Sequence, residues 1–482
     1  MESALGELHN VPLHVLDHID EHQSIETTVH EIVEKVSQLR ASDLFFALDD
    51  NALMLGCRQM GILRRFRPFS ANFGRKLINH IKALAGIDLG DRNRPSEGRW
   101  IFRREDASVI DLRINSIPTI NGEDLTIRLL DRNFGLIPLD DFGLLSHELS
   151  RLKWLLGRKA GMILVTGPTG SGKSTTLYSC LQQLNDGSRK INTLEDPVEY
   201  IVKGIRQSQI NPKLGIDFAD LLVACLRQGP DVIMVGEIRD PQTAETAVRA
   251  AASGHLVLAT LHSPFAAKAV NAMVSYGVAP RAFAETLLGV VSQRLVRRLC
   301  EHCRVPVDMS PVPDFLNDVR RDLPDDWTPC IYSASHCERC HDTGFVASHC
   351  VPEILVATPE VRRAIADRLM PDVIARVARS SDAHLSFRRA ALARVALGIT
   401  TIEEVMRALP LDELEDPNDA ATALPAEEVA SLVNATSSTV PPPHHQSLRN
   451  NSLSETLVNE QSMRVSPARN DSTDWERTGG NG

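Results

Sequence analysis

The pattern of apolar and polar positions predicts a small first domain. Apolar residues recur at helical spacing in SIETTVHEIVEKVSQLR and FSANFGRKLINHIKALAGI, and strand-like runs follow in RWIFRRE, VIDLRINSIPT and DLTIRLL. Ser24 is placed to cap the first helix, and Asn121-Gly122 is typical of a hairpin turn. We therefore predict an α/β domain over residues 23–135, preceded by a polar leader at 1–22.

From Gly161 onward, strand-length apolar runs alternate with predicted helices. The strands are MILVT, INTLE, DVIMVG and HLVLATL, and helices are predicted from Lys173 and through ETAVRAAAS. This alternation is typical of a mostly parallel sheet with helices on both faces. We predict a second α/β domain over residues 151–409, a linker at 136–150, and a helical C-terminal part at 351–409.

The composition changes at Pro410. Pro, Ser, Asn and acidic residues dominate residues 410–482, and such a segment buries too little apolar surface to offset its chain entropy. We predict a disordered acidic tail. From residue 411 onward, twelve acids face four basic residues, which accounts for −8 of the net charge of −10. The remainder is nearly neutral, so we expect no nucleic-acid partner.

Three further properties indicate a cytoplasmic protein. The acidic start of the chain lacks the apolar core of a signal peptide, and no run of 18 apolar residues occurs. Nine cysteines without a secretion signal are typical of a reducing compartment.

A glycine-rich motif follows the strand MILVT and opens the next helix. It reads Gly167, Pro168, Thr169, Gly170, Ser171, Gly172, Lys173 and Ser174, with Thr175 behind it. Such a loop binds the phosphates of ATP through its backbone N–H groups, the helix N-terminus and the lysine, and its serine hydroxyl ligates Mg²⁺. The alternative is a glycine-rich turn without a ligand, which would not require the preceding strand, the lysine and the serine together.

Two later strands end in acidic residues. INTLE runs into Glu195, Asp196 and Glu199, and DVIMVG runs into Glu237 and Asp240. Because ligands bind at the carboxyl ends of parallel strands, these acids are expected to polarise the attacking water and hold Mg²⁺. The alternative is that they cap helices.

His255 and His262 bracket the strand HLVLATL. Lone histidines are more often structural, and His262, at the carboxyl end, is the better candidate for contact with the phosphates.

Four cysteines form two Cys-x-x-Cys pairs, Cys300 with Cys303 and Cys337 with Cys340. Two such pairs are typical of a closed tetrahedral Zn²⁺ site with a structural role, here within an insert at 300–350. A redox pair and unrelated buried thiols are the alternatives. His302, His336 and His341 lie nearby and are able to replace a thiolate.

Basic residues cluster at Arg64, Arg65 and Arg67 and again at Arg294, Arg297 and Arg298. Such clusters indicate a solvated face, a subunit contact or contact with anionic lipid.

The series GPTGSGKSTTLY, NTLEDPVEY, RQGPDVIMVGEIRD and SGHLVLATLH resembles, in order and spacing, the four motif boxes of the ATPases of type II secretion and type IV pilus assembly. With the cysteine module and the ending GITTIEEVMRAL, the resemblance covers roughly residues 25 to 408. It implies a RecA-like P-loop motor domain, an N-terminal PAS-like domain and a homohexamer with ATP between subunits. It also implies the partners: an inner-membrane platform and its associated cytoplasmic-domain proteins, with only peripheral, indirect membrane contact.

The resemblance further implies residue roles. Glu199 is the expected catalytic glutamate, Glu237 the Walker B glutamate, and His262 the histidine near the γ-phosphate. Three arginines are expected to offset charge on the transferring phosphoryl group: Arg113, Arg128 and Arg227. The cysteine module is typical of assembly and secretion members rather than retraction members, and the short leader predicts no additional docking domain.

Departures from the family pattern leave a second hypothesis open. Val223 stands where an arginine is usual, and Ser263-Pro264-Phe265 replaces the usual Thr-Asn-Thr. The leading hypothesis is a Mg-ATP-driven motor. The second is a ring component that binds ATP but hydrolyses it poorly, acting as a scaffold or switch. A DNA-handling motor is a third, which salt-dependent DNA binding would distinguish.

Overall fold

The computed structural model describes most of the chain up to Leu409. The described residues are 16, 19–90, 93–120, 122–131, 136–308, 319–324, 326–327, 330–341, 343–381 and 384–409. Most of the predicted leader, Asn121 of the predicted hairpin turn, and the whole predicted tail lie outside these residues. Among the described residues, no helix combines the length and apolar character needed to cross a membrane.

The N-terminal domain is an antiparallel sheet covered by two helices. Its elements are α1 (Ile25–Gln38), β1 (Asp43–Leu48), β2 (Ala52–Gln59), β3 (Ile62–Arg65), β4 (Phe69–Ser70), α2 (Ala71–Leu84), β5 (Ser96–Arg103), β6 (Val109–Thr119) and β7 (Gly122–Asp131). The strand order is β3-β2-β1-β7-β6-β5, and β4 pairs with β2. Both predicted helices and all three predicted strands are confirmed. The Ser24 hydroxyl caps α1 by accepting the N–H of Thr27 at 3.1 Å.

The second domain is built on a mostly parallel sheet. Its elements up to the cysteine module are α3 (Ser146–Leu156), β8 (Gly161–Thr166), α4 (Lys173–Leu184), β9 (Ile191–Glu195), β10 (Arg206–Gln209), α5 (Phe218–Leu226), β11 (Val232–Val235), α6 (Pro241–Ala252), β12 (Leu256–Leu261), α7 (Ala266–Ser275), α8 (Pro280–Thr286) and β13 (Leu287–Leu299). The order is β10-β9-β11-β12-β8-β13, with every neighbouring pair parallel. Strands β8, β9, β11 and β12 are buried at every position, as expected for a parallel sheet with both faces covered.

The remaining elements complete the second domain. They are β14 (Val305–Asp308), β15 (Cys330–Ser333), β16 (Phe345–Val356), α9 (Pro359–Ala366), α10 (Pro371–Arg379), α11 (Phe387–Ala396) and α12 (Ile402–Ala408). Strands β14 and β15 form a separate antiparallel pair beside the four cysteines.

The prediction that residues 351–409 are helical is wrong for the first six of them. Residues 351–356 belong to β16, which pairs antiparallel with β13 along almost its whole length. The short apolar run in VPEILV does not by itself distinguish a buried strand from a helix. It forms a strand because it pairs with the edge of β13.

The segment predicted as a linker, 136–150, packs against the second domain. Leu139 is buried in the cluster that includes Leu152 and Leu177, and α3 already begins at Ser146. Glu148 and Arg394, both fully buried, form a bidentate ion pair that joins α3 to α11, with Nη1–Oε1 2.8 Å and Nη2–Oε2 2.7 Å.

Candidate active site

The phosphate-binding loop lies at the carboxyl end of β8 and leads directly into α4. Gly172 caps the helix with a φ of +86°, a backbone conformation that favours glycine. A Cβ added to Gly167 would lie 2.5 Å from Ser171 Oγ and 2.6 Å from the carbonyl oxygen of Gln293. Close packing therefore requires glycine at position 167, and the positive φ favours it at position 172.

Gln293 of β13 holds this loop in place, and sequence reasoning did not identify it. Its fully buried side chain donates from Nε2 to the carbonyl of Ser171 at 2.6 Å and accepts the Thr176 hydroxyl at 2.8 Å. The available signal was the polar pair Ser292-Gln293 directly after the apolar start of the strand, LLGVV.

Lys173 lies against the loop and close to a predicted histidine. Its Nζ donates to the carbonyls of Gly167 at 2.9 Å and Pro168 at 3.1 Å, and it lies 3.3 Å from Nδ1 of His262. Burial lowers the pKa of Lys173, and attraction to Glu237 opposes that shift.

Glu237 and His262 meet at the carboxyl ends of adjacent strands. Glu237 follows β11 and His262 follows β12, and His262 Nε2 lies 2.9 Å from Glu237 Oε1. Arg239 also pairs with the Glu237 carboxylate, and this hydrogen bond raises the pKa of Arg239. The fold thus brings Lys173, Glu237 and His262 into one chain of contacts.

Glu199 lies on the loop after β9 and faces the N-terminal domain. Its Oε2 is 3.3 Å from Nη2 of Arg113 on β6. Burial raises the pKa of Glu199, and the charge of Arg113 opposes the rise. A carboxylate with a raised pKa is suited to accept a proton from water near neutral pH.

The other predicted acids have structural partners. Asp240 caps α6 by accepting the N–H of Thr243 at 2.8 Å, so for this residue the capping alternative is correct. Glu195 is buried and accepts hydrogen bonds from Tyr178, Thr193 and Gln207. The carboxylates of Glu195 and Asp240 are thus engaged in structural hydrogen bonds, and the expectation that they polarise the attacking water or hold Mg²⁺ is left to Glu199 and Glu237.

The remaining arginines occupy different surroundings. Arg128 pairs with Asp43 at 3.1 Å and lines the cleft beside the phosphate-binding loop. Arg227 is exposed at the C-terminal end of α5, and within the described part of the chain no ion pair joins it to Glu237.

That cleft has a volume of about 1040 Å³, which is ample for a nucleotide. The second domain contributes Thr169, Gly170, Gly172 and Thr175 to its wall, and Ser174 is exposed beside them. Seven arginines also line it: Arg40, Arg58, Arg104, Arg128, Arg297, Arg339 and Arg407. Among the lining residues that the structure describes, Asp43 is the sole carboxylate, while Arg297 and Arg407 pair with Glu404. The arginines still outnumber these two acids, so the cleft is suited to a polyanion.

The four predicted cysteines come together in one cluster. Their Sγ atoms all lie within 4.8 Å of one another, and three of the separations are 3.8, 3.8 and 3.6 Å. A tetrahedron of thiolates around Zn²⁺, with Zn–S of about 2.3 Å, has edges of about 3.8 Å. The four thiols therefore fit a structural zinc ion, and the Gly344 N–H donates to Cys340 Sγ at 3.2 Å.

A phosphate-binding loop at the edge of a mostly parallel sheet, with a lysine, a glutamate and a histidine in contact there, defines a P-loop ATPase of the RecA-like type. The chain matches the family described as "Type II/IV secretion system protein" over residues 18–407. It belongs to this family.

Curated relatives carry the names of secretion and pilus proteins. The chain is 38% identical over 382 residues to the type II secretion system protein E of Dickeya dadantii, covering 79% of this chain and 74% of that one. It is 37% identical over 378 residues to the type IV pilus assembly ATPase PilB of Thermus thermophilus, covering 78% of this chain. The match spans 42% of that PilB, less than half its length.

Solved structures show the same fold. The ATPase DotB of Legionella pneumophila matches with a TM-score of 0.60 at 21% identity, covering 81% of this chain and 97% of that one. The pilus retraction motor PilT with bound ADP matches with a TM-score of 0.53 at 25% identity, covering 81% and 98%.

Proposed function

We propose that this chain is the ATP-hydrolysing subunit of a homohexameric motor. It drives protein secretion or the assembly of a type IV pilus or pseudopilus. The observation that carries the proposal is the chain of contacts from Lys173 through His262 to Glu237 beside the phosphate-binding loop. Glu199 lies on the loop after the neighbouring strand β9, in contact with Arg113.

In this mechanism the loop residues Gly167 to Thr175 bind the ATP phosphates. Lys173 neutralises the β- and γ-oxygens, and the Ser174 hydroxyl is the proposed Mg²⁺ ligand. Glu237 would help to hold Mg²⁺, and its carboxylate is positioned by His262 and Arg239. Mg²⁺, when bound, offsets the charge of the transferring phosphoryl group.

Glu199 is the proposed base for the attacking water. Its raised pKa favours proton uptake, and Arg113 keeps the carboxylate oriented. Two arginines of the N-terminal domain supply positive charge: Arg128 lines the cleft, and Arg113 contacts Glu199. Arg227 is exposed, and we assign it to the nucleotide of a neighbouring subunit in the ring.

Cys300, Cys303, Cys337 and Cys340 hold the proposed structural Zn²⁺. The motor acts at the cytoplasmic face of the inner membrane, with contact to lipid that is peripheral and indirect. It works with a membrane platform protein and its associated cytoplasmic domains. The names of the relatives support a place in a secretion or pilus assembly system.

The test is Mg²⁺-dependent ATP hydrolysis by the purified full chain, at concentrations high enough for rings to form. Lys173→Ala should abolish nucleotide binding and turnover. Glu199→Gln should retain binding and lose at least about 100-fold in kcat, as expected for loss of a general base. Glu245→Gln, an exposed glutamate on α6, is the control for loss of one carboxylate charge.

We expect the wild type to hydrolyse ATP as a species with the mass of a hexamer. Both substitutions should abolish this turnover. ATP binding without turnover would overturn the proposal and favour the scaffold or switch. Full turnover by a monomer would contradict the proposed hexameric ring.

A further inference from the structure

Tyr178 has no role in the mechanism above, although it closes the motif GPTGSGKSTTLY. It lies on α4, five residues after Lys173, and its side chain is buried at 1% exposure. Its ring packs edge-on against that of Tyr200, with 5.2 Å between ring centroids. A buried hydroxyl needs hydrogen-bond partners, and those partners show what this residue does.

The Tyr178 hydroxyl connects α4 to the loop that carries Glu199. It accepts the backbone N–H of Glu199 and of Tyr200, each at 3.3 Å. Its own proton is donated to the carboxylate of Glu195 at the end of β9. One donated and two accepted hydrogen bonds use the full capacity of a phenol.

Glu195 is in turn fixed by its neighbours. Its Oε1 accepts the Thr193 hydroxyl at 2.5 Å and Nε2 of Gln207 at 3.0 Å. Burial and the hydrogen bond to Glu195 raise the pKa of Tyr178, so the hydroxyl stays protonated at neutral pH. The hydrogen bond to Glu195 therefore fixes the orientation of the phenol O–H, and the oxygen lone pairs are directed at the N–H groups of Glu199 and Tyr200.

We propose that Tyr178 is a positioning residue that holds the Glu199 carboxylate in register with the phosphate-binding loop. The proposal rests on the role of Glu199 proposed above. Lys173 and Tyr178 share one rigid helix, so the hydroxyl ties the base to the element that binds the phosphates. An error of about 1 Å in such a placement costs on the order of 100-fold in rate.

Gln207 of β10 supplies a second anchor for the same loop. It donates from Nε2 to the carbonyl of Tyr200 at 2.8 Å and accepts the N–H of Val202 at 2.8 Å. Gln207 is half-buried on an edge strand, so its substitution tests the loop with less risk to folding than a change in the core.

The experiment compares Tyr178→Phe with Ser179→Ala in the full-length protein, using ATP as substrate. Ser179 is the next residue of the helix, and its buried hydroxyl donates to the carbonyls of Ile137 and Thr175. It has no hydrogen bond to the Glu199 loop among the contacts of the described residues. Tyr178→Phe keeps the ring and removes only the connection.

We expect Tyr178→Phe to lower kcat by about 10- to 100-fold, with KM for ATP within roughly twofold of the wild type. Ser179→Ala should leave both parameters near the wild type. In the Glu199→Gln background, Tyr178→Phe should cause no further loss, because both changes act on one group. Gln207→Met should also lower kcat rather than raise KM.

Amide hydrogen exchange of the segment 197–202 gives a readout that does not depend on turnover. Tyr178→Phe should accelerate it, and Ser179→Ala should not. Unchanged exchange together with unchanged kcat would overturn the positioning role, as would a full additional loss in the Glu199→Gln background. If the wild type itself shows no turnover, the proposed function fails, and the exchange result still decides whether Tyr178 holds the loop.

Discussion

Arg113 and Glu199 join the two domains of this protein at the candidate active site, with Arg113 Nη2 3.3 Å from Glu199 Oε2. Arg113 belongs to the antiparallel sheet of the N-terminal domain, and Glu199 belongs to a loop at the edge of the parallel sheet. The electrostatic environment of the proposed base thus depends on a residue from the other domain. A change in the contact between the domains would change the protonation of Glu199.

The first prediction concerns the pH dependence of turnover. Burial raises the pKa of Glu199 and Arg113 opposes the rise, so Arg113→Ala should raise this pKa further. A general base must be deprotonated, and activity is lost as pH falls through its pKa. The acid limb of the kcat/KM profile should therefore move to higher pH in Arg113→Ala.

Arg103→Ala, which removes an exposed arginine from β5 of the same domain, is the control and should leave the acid limb in place. Superimposable acid limbs for Arg113→Ala and the wild type would contradict the contact as a feature of the working enzyme.

The second prediction concerns Gln293 and nucleotide affinity. Gln293→Leu removes the hydrogen bonds that hold the Ser171 carbonyl and the Thr176 hydroxyl. Loss of one such constraint costs about 1.4 kcal/mol, so the Kd for a fluorescent ATP analogue should rise by about tenfold. Gln183→Leu, on an exposed position of α4, should not change it. Equal affinity in both variants would show that the loop does not need this support.

The third prediction concerns the cysteine cluster. The purified wild type should contain about one zinc ion per chain, because four thiolates complete a closed tetrahedral site. Cys337→Ser should lower the zinc content and the melting temperature. Cys330→Ser, which changes a cysteine of the same module outside the cluster, should keep the metal. Mass-spectrometric metal analysis checks both, and a metal-free wild type purified without chelator would refute the assignment.

The fourth prediction concerns the buried ion pair of Arg394 and Glu148. Both side chains have no exposed surface, so Arg394→Ala leaves an unpaired carboxylate in the interior. The free energy of unfolding should fall by about 3–5 kcal/mol, measured by chemical denaturation. Lys153→Ala breaks the exposed pair with Asp140 and should cost at most about 1 kcal/mol. Similar costs for the two variants would contradict this account.

Local sequence was sufficient for the features that depend on short spacing. The phosphate-binding loop follows β8 and opens α4 as predicted, since its glycines, lysine and serine all act within one turn. The cysteine pairs predicted the cluster for a similar reason, because each Cys-x-x-Cys supplies two ligands from one short turn. Alternation of apolar runs likewise predicted the parallel sheet.

Pairing between residues that are far apart in the sequence could not be predicted from local patterns. Arg297 belongs to a basic cluster in the sequence, yet it is paired with Glu404, more than a hundred residues away, at 2.7 Å. The strand at 351–356 needed the edge of β13 to distinguish it from a helix. Both partners, Glu404 and β13, are too distant in the sequence for a local pattern to reveal them.

The sequence by itself determined the phosphate-binding loop, the two cysteine pairs and the succession of strands and helices, because these depend on residue types at fixed short spacings. Only the tertiary structure decided which partner each acidic side chain contacts. It buried Glu195 beneath Tyr178, used Asp240 as a helix cap, and left Glu199 to meet Arg113 across the domain boundary. The physical reason is that hydrogen bonds and charges act over a few ångströms in space, and the order of strands in the sheet sets those distances.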